Sequence, residues 1–256
     1  MRFINKLIGA VSVATLLLVG SVQARDWNVI KNSGTIIAAT EGAFFPFNYY
    51  EGAKLTGFEV ELAEALVKKL GLKMEWRVVP FDAQLASILQ DRFDFAIASH
   101  GYTEERAKSV DFANPHYCTG GQIAAAKGGP LTMDALKGKT VGVQLATSYY
   151  DNAKKIPGVK EIKTYKADPE AFSALRAKKV DAWISDKWLI KFTLEKNPKA
   201  GIVAGEQVFV ERVSMILRKD NKELKEQLNR GLAEIVKDGT YAALSQKYFK
   251  TDASCR

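Results

Sequence analysis

The sequence predicts an α/β protein of two lobes, each a mostly parallel sheet flanked by helices, joined by two extended crossovers. Three observations carry that prediction. Strand and helix signals alternate along the chain, the pattern of parallel sheets covered by helices. A strand-helix-strand-helix-strand order over residues 34–98 recurs over residues 139–185. Two extended runs, 117–126 and 208–217, enter and leave that second repeat, which implies a double crossover and a geometry that permits hinge closure. The corresponding boundaries are 25–116 and 214–256 for lobe 1, and 117–213, hinge strands included, for lobe 2.

Residues 1–24 stand apart from this plan. Arg2 and Lys6 form a basic start, Leu7 to Gly20 an apolar core, and Val22-Gln23-Ala24 a small-residue cleavage site. This is the pattern of a secretory signal peptide, cleaved after Ala24. Its apolar core is shorter than the ~20 residues of a membrane-spanning helix. No cysteine stands at the cleavage site to carry a lipid. The expected location is therefore extracytoplasmic, most simply a bacterial periplasm.

Without Arg2 and Lys6 the 37 basic residues become 35, against 29 acids. The excess is mild, and its lysines (Lys68, Lys69, Lys154, Lys155, Lys178, Lys179) are scattered over helix faces. No basic run interleaved with aromatics suggests a nucleic-acid partner. His100 and His116, the only histidines, are not joined by a carboxylate-rich run, so no metal site or cofactor is expected. Cys118 and Cys255 lie in an export context where a disulfide between them can persist, the alternative being two unpaired thiols.

Gly34–Thr40 reads as the first strand, followed by the loop Glu41–Phe47. Phe58, Leu62, Ala65, Leu66 and Leu70 recur at helical spacing, so Phe58–Leu70 is an amphipathic helix with Gly71 in the left-handed position after it. Lys73–Val79 follows as a strand, Asp82 caps a helix with Leu85, Ile88 and Leu89 inward, and Phe93–Ala98 is the third strand. Three strands joined by helices make a parallel βαβαβ unit, whose ligand site is expected beyond the C-terminal strand ends. In the second repeat Lys139–Gln144, Glu161–Tyr165 and Val180–Ser185 are strands, Thr147 and Ser148 open a helix, and Asp168-Pro169 caps another. Gln144, Thr147, Ser148 and Asp186 fall at the strand ends of this repeat, where a second lobe can face the first across a cleft. The last helices are Asn221–Lys237, with Leu224, Leu228, Leu232, Ile235 and Val236 on one face, and Tyr241–Phe249.

The stretch Ser99-His100-Gly101-Tyr102-Thr103-Glu104-Glu105-Arg106 links the third strand to a short helix capped by Thr103. Free N–H groups at such an end favour an anion. Arg106 adds a planar guanidinium able to grip a carboxylate with two parallel hydrogen bonds. The alternative is a surface pair of Arg106 with Glu104, Glu105 or Asp111.

These pieces, with GTIIAATEGAFFPFNY, GFEVELAEALVKKLG, KTVGVQLATS, VDAWISD and KDGTYAALSQKYF, resemble in order the bacterial periplasmic solute-binding proteins of the polar amino-acid family, the receptor components of ABC importers. The resemblance covers nearly all of the chain after the leader. It implies a type II periplasmic-binding-protein fold and a monomer that captures a small amino acid and delivers it to an inner-membrane permease. It further implies that Phe44 and Phe81 stack around the ligand. Arg106, completed by Thr147 and Ser148, would hold its α-carboxylate, and Asp186 its α-ammonium. Glu41 would meet the ligand side chain, which favours a basic or amide group. Ligand docks on lobe 1 through Phe44, Phe81, Ser99 and Arg106 before lobe 2 closes. Gly101 departs from the Ser or Thr that relatives often carry, so the backbone or a water replaces one hydroxyl. Leu145 and Ala146 replace a small polar residue and Gly, and His100 has no consistent counterpart. The same scaffold also resembles secreted cyclohexadienyl dehydratases, for which Glu41, then Asp186, with His100 as helper, would be the candidate acids. No nucleophile-base set accompanies them, and the expectation is a binding protein, for uptake or for sensing, rather than an enzyme.

Overall fold

The computed structural model describes residues 25–255; the expected signal peptide and its cleavage after Ala24 lie outside them. Lobe 1 opens with α1 (Trp27–Ser33), β1 (Thr35–Thr40), β2 (Ala43–Phe44), β3 (Asn48–Glu51), β4 (Lys54–Thr56) and α2 (Phe58–Lys69). It continues with β5 (Lys73–Val78), α3 (Phe81–Leu89), β6 (Phe95–Ala96), α4 (Glu104–Ser109) and β7 (Val110–Thr119). The chain then crosses into lobe 2 through β8 (Gly121–Ala126), β9 (Thr140–Gln144), α5 (Ser148–Ala153) and β10 (Glu161–Tyr165). α6 (Asp168–Arg176), β11 (Ala182–Asp186), α7 (Lys187–Lys196) and β12 (Ile202–Gln207) complete that lobe. It returns through β13 (Glu211–Arg218) and ends on α8 (Lys222–Lys237) and α9 (Thr240–Phe249).

The two sheets share one plan. Their strand orders are β5-β1-β6-β13-β7 and β10-β9-β11-β8-β12, with a separate β2-β3-β4 sheet. β1 runs parallel to β5 and β6, and β9 parallel to β10 and β11, while β13 pairs antiparallel with β6 and β7, and β8 antiparallel with β11 and β12. Parallel strands buried on both faces are apolar throughout, as Ile36, Ala38 and Ala39 of β1 and Val141 and Val143 of β9 are. The crossings lie between β7 and β8 and between β12 and β13. At the first, a side chain on Gly121 would stand 2.2 Å from the Phe209 ring, so glycine lets the two crossing segments touch. Among the described residues no helix is long and apolar enough to cross a membrane.

Several boundaries differ from the sequence reading. The third strand is shorter than expected, Phe95–Ala96; beside it the Asp94 carboxylate accepts the Ile37 N–H at 2.7 Å and the Arg25 guanidinium at 3.0 Å. Neither Asp82 nor Asp168 is a cap: α3 starts after Pro80 and α6 after Ala167, and Asp168 accepts the Trp183 indole N–H at 2.7 Å. Leu89 and Val236 face solvent at 49% and 53% exposure, each on the helix flank turned away from its sheet. β2 lies within Glu41–Phe47, which the sequence reads as a loop, and β3, β4, α1, α7 and β12 lie in stretches that carry no clear pattern in the sequence.

One buried carboxylate ties the cleft-facing loops of lobe 1 together. Glu59, fully buried on α2, accepts the Ser99 N–H at 2.8 Å, the Ser99 hydroxyl at 3.0 Å, the Asn48 amide at 2.9 Å and the His116 Nε2–H at 2.8 Å. Asn48 in turn accepts the Gly42 N–H at 2.9 Å, so the loop carrying Glu41 hangs from the same group. Ser99 holds φ 59, a left-handed conformation that few non-glycine residues adopt without such support. Replacing Glu59 with Leu leaves these donors buried without an acceptor, and urea unfolding is expected to show a loss of at least ~3 kcal/mol; a loss under ~1 kcal/mol would contradict this role. Cys118 on β7 is bonded to Cys255, closing 137 residues, and in the loop-entropy treatment such a link contributes up to about 5 kcal/mol. Reduction should therefore move the urea midpoint down, whereas an unmoved midpoint would mean that the tail adds nothing to stability.

Candidate functional site

Loops at the C-terminal ends of β1, β5, β6 and β9 converge between the lobes. They meet around a small, nearly closed cavity. Lobe 1 lines it with Glu41, Phe44, Phe81, Ala98 and Ser99, and lobe 2 with Gln144, Thr147, Ser148 and Tyr149. The strand-end rule explains the gathering: side chains just past parallel strands point into the crevice that the next turn opens.

Each wall is held from behind. Thr147 caps α5 by accepting the Tyr150 N–H at 3.2 Å and donates its own hydroxyl to the Gln144 carbonyl at 2.7 Å. Ser148 and Tyr149 thus open a helix at the cavity wall. Phe81 stacks on the His100 ring at 4.7 Å between centroids, and His100 Nε2 is fixed by Gln84 Oε1 at 2.8 Å. Burial, then the charges of Arg106 and His116, holds the His100 pKa well below its usual value, so its imidazole is neutral. It backs the Phe81 wall and does not itself line the cavity.

Arg106 lies on α4, capped by Thr103, which accepts the Arg106 N–H at 3.1 Å. Its side chain is buried and turns inward, away from Glu104, Glu105 and Asp111. Nη1 donates to the Gly101 carbonyl at 2.7 Å, and Nη2 reaches across the cleft to the Ala146 carbonyl at 2.8 Å. The guanidinium carbon stands 5.6 Å from the Phe81 ring centre. Arg106 is therefore behind the cavity wall and spans both lobes.

Glu41 closes the opposite side. The Gln144 amide of lobe 2 donates to Glu41 Oε1 at 2.6 Å, a second hydrogen bond between the lobes. Burial, then the charge of Asp168, pushes the Glu41 pKa up to about 8, against the pull of Gln144. At neutral pH the group is largely protonated until a cation arrives beside it.

Asp186 ends β11 fully buried and is not a cavity wall. Its Oδ1 accepts the Trp188 and Leu189 N–H groups at 2.7 and 3.0 Å, capping α7, and its Oδ2 accepts the Thr119 hydroxyl at 2.6 Å. Burial raises its pKa to about 6 despite those donors. Gly101 bridges to Val213 on β13. Three participants escaped the sequence reading. Tyr149 follows Ser148 directly on the helix that opens at the cavity, which is a usable signal. Glu59 shares the apolar stripe of Leu62, Ala63 and Leu66 on α2, and a carboxylate in such a stripe is a signal of buried pairing. Glu211 sits at the start of β13, where nothing in the local pattern marks it. Among the described residues no His, Cys, Asp and Glu cluster is placed to hold a metal ion.

The L-cystine-binding protein TcyJ of Escherichia coli K12 is 34% identical over 259 residues, 97% of this chain and 96% of the relative. The histidine-binding periplasmic protein of the same strain is 31% identical over 225 residues, 83% of this chain and 86% of the relative. An ancestral arginine-binding protein solved with arginine bound superposes with a TM-score of 0.81 and 36% identity, over 84% of this chain and 98% of that one. The family model of the bacterial extracellular solute-binding proteins, family 3, matches residues 36–251, and the chain belongs to that family.

Proposed function

We propose that this chain captures an amino acid, with polar or basic side chains favoured, between its lobes in the periplasm and hands it to the permease of an ABC importer in the inner membrane. The observation that carries the reading is a two-lobe cavity with the opening turn of α5 and the buried Arg106 on one side and Glu41 on the other. The first side suits a carboxylate, by guanidinium pairing and free helix N–H groups. The second suits a cation or an amide donor, and Glu41 then exchanges Gln144 for the ligand. Asp186 is the carboxylate this reading assigns to the α-ammonium, through the Oδ2 lone pairs that Thr119 leaves unused. Relatives that bind cystine, histidine and arginine support the ligand class.

Closure follows from the same contacts. Arg106 and Glu41 both bridge the lobes, so a ligand that engages them draws the halves together and excludes water, which strengthens each charged contact. Both halves of the cleft belong to one chain, so a monomer suffices. A signal peptide removed after Ala24 places the protein where such importers collect their cargo.

A thermal-shift screen of refolded, ligand-free protein against arginine, lysine, ornithine, citrulline, histidine, glutamine, cystine and amine-free carboxylates tests the reading, because only a ligand of the folded state raises the midpoint. A shift with one or more of the amino acids is expected; silence from all of them, with a shift from amine-free carboxylates alone, would overturn it. Arg106→Ala is expected to weaken binding by at least ~2 kcal/mol, the worth of a charge-assisted pair. Glu41→Gln should weaken the basic ligands more than glutamine in calorimetric titrations, and an equal effect on both would remove Glu41 from side-chain selection.

A further inference from the structure

Position 101 is a glycine where a hydroxyl side chain would help hold a carboxylate, and the structure shows what fills that space. A Cβ built on Gly101 would stand 1.9 Å from Glu211 Oε2 and 3.4 Å from Ser148 Oγ. Glu211, the first residue of β13 after the second crossing, is 8% exposed, and neither of its carboxyl oxygens has a hydrogen-bond partner of good geometry. The Ser148 and Tyr149 hydroxyls lie near it without forming well-aligned hydrogen bonds, and a buried carboxyl held this way keeps a desolvation penalty that another molecule can relieve by completing the bonding. Ser148 is a wall both of the ligand cavity and of the open hollow that Glu211 lines. The carboxyl thus stands beside the subsite assigned above to the ligand carboxylate.

We propose that Glu211 contacts the ligand and that its carboxyl, in the neutral form, donates to the amino-acid carboxylate the hydrogen bond that a hydroxyl at position 101 would give. This rests on the amino-acid reading of the cavity. The Gly101–Glu211 pair is then a substitute for the missing side chain: glycine makes room, and the acid supplies the donor. An ionised Glu211 would instead face the ligand carboxylate with like charge, so the contact works only while the proton is held. Burial pushes the Glu211 pKa up to about 7; Asp186 adds to this, and Ser148, Arg106 and Tyr149 oppose it. The other titratable or charged groups acting on this locus are Asp151 on α5, through Arg106, and Tyr117 on β7. The sign follows: the contact is complete below about pH 7 and is lost as pH rises through that value.

The test is titration calorimetry of the full mature chain with L-arginine, L-histidine and L-cystine, comparing wild type with Glu211→Gln, whose amide donates at every pH. Taking the ratio of the two affinities cancels the titration of Glu41 and of the ligand. From about pH 6 to about pH 9 wild type should lose at least ~tenfold in affinity relative to Glu211→Gln. Glu211→Ala should bind at least ~tenfold more weakly at about pH 6. Adding Gly101→Ser to Glu211→Ala, which places a hydroxyl in the vacated space, should restore most of that loss. A ratio that stays constant with pH, or a double variant no better than Glu211→Ala, would overturn the role of Glu211 while leaving amino-acid binding in place. Binding of none of the three probes by wild type would overturn the amino-acid reading and this proposal together.

Discussion

The cleft depends on the bonds that converge on Glu59. A carboxylate buried at the base of lobe 1 gathers donors from the start of β3, the loop after β6 and the crossing strand β7. An apolar residue of similar size would pack as well against Leu62 and Phe58, but it would leave those loops free to take other paths. The carboxylate therefore trades desolvation for a defined geometry. Through Asn48 it positions the Glu41 loop, and through Ser99 it sets the turn from which His100, Gly101 and Arg106 project. His116 brings the hinge strand into the same group, so the ligand-facing loops and the hinge share one fixed point.

Against that rigid lobe the charges of the cleft are unbalanced. Glu41, Asp168, Asp186 and Glu211 are all buried between or beside the lobes, and burial raises each above its ordinary value. Arg106 is the cation that faces them, and it is occupied by two backbone carbonyls. A closed cleft of this composition holds protons in place of cations. A zwitterion with a basic side chain supplies one anion to the guanidinium and two cations to the acids, which is the complement the cleft lacks. The same imbalance opposes closure on an anion without an amine.

Much of this was legible in the chain, and the reasons differ by residue. Phe58–Lys69 follows from its apolar period, the Thr103 cap from its hydroxyl one turn ahead of Arg106, and the repeat from the recurrence of strand, helix and strand. Position at strand ends points to Ser99, Gln144, Thr147 and Ser148, and the family resemblance adds Glu41, Phe44 and Phe81; all seven gather around one cavity. It does not say which way a side chain turns. His100, Gly101, Arg106 and Asp186 share those loops yet stand behind the walls, because each is held by a partner distant in sequence. Asp168 has the spacing of a cap and is instead recruited by the Trp183 indole. Glu211 belongs to the cleft only because the chain returns through the second crossing, a relation between segments that no local window contains.

A crystal structure of the mature protein with the amino acid that gives the largest thermal shift decides whether capture occurs between the lobes. The ligand carboxylate is expected on Arg106 and the N-terminus of α5, with the ligand side chain against Glu41 in place of the Gln144 amide. A ligand bound outside the cleft, or one inside it that leaves the Arg106 and Glu41 contacts as they stand, would contradict this mode of capture.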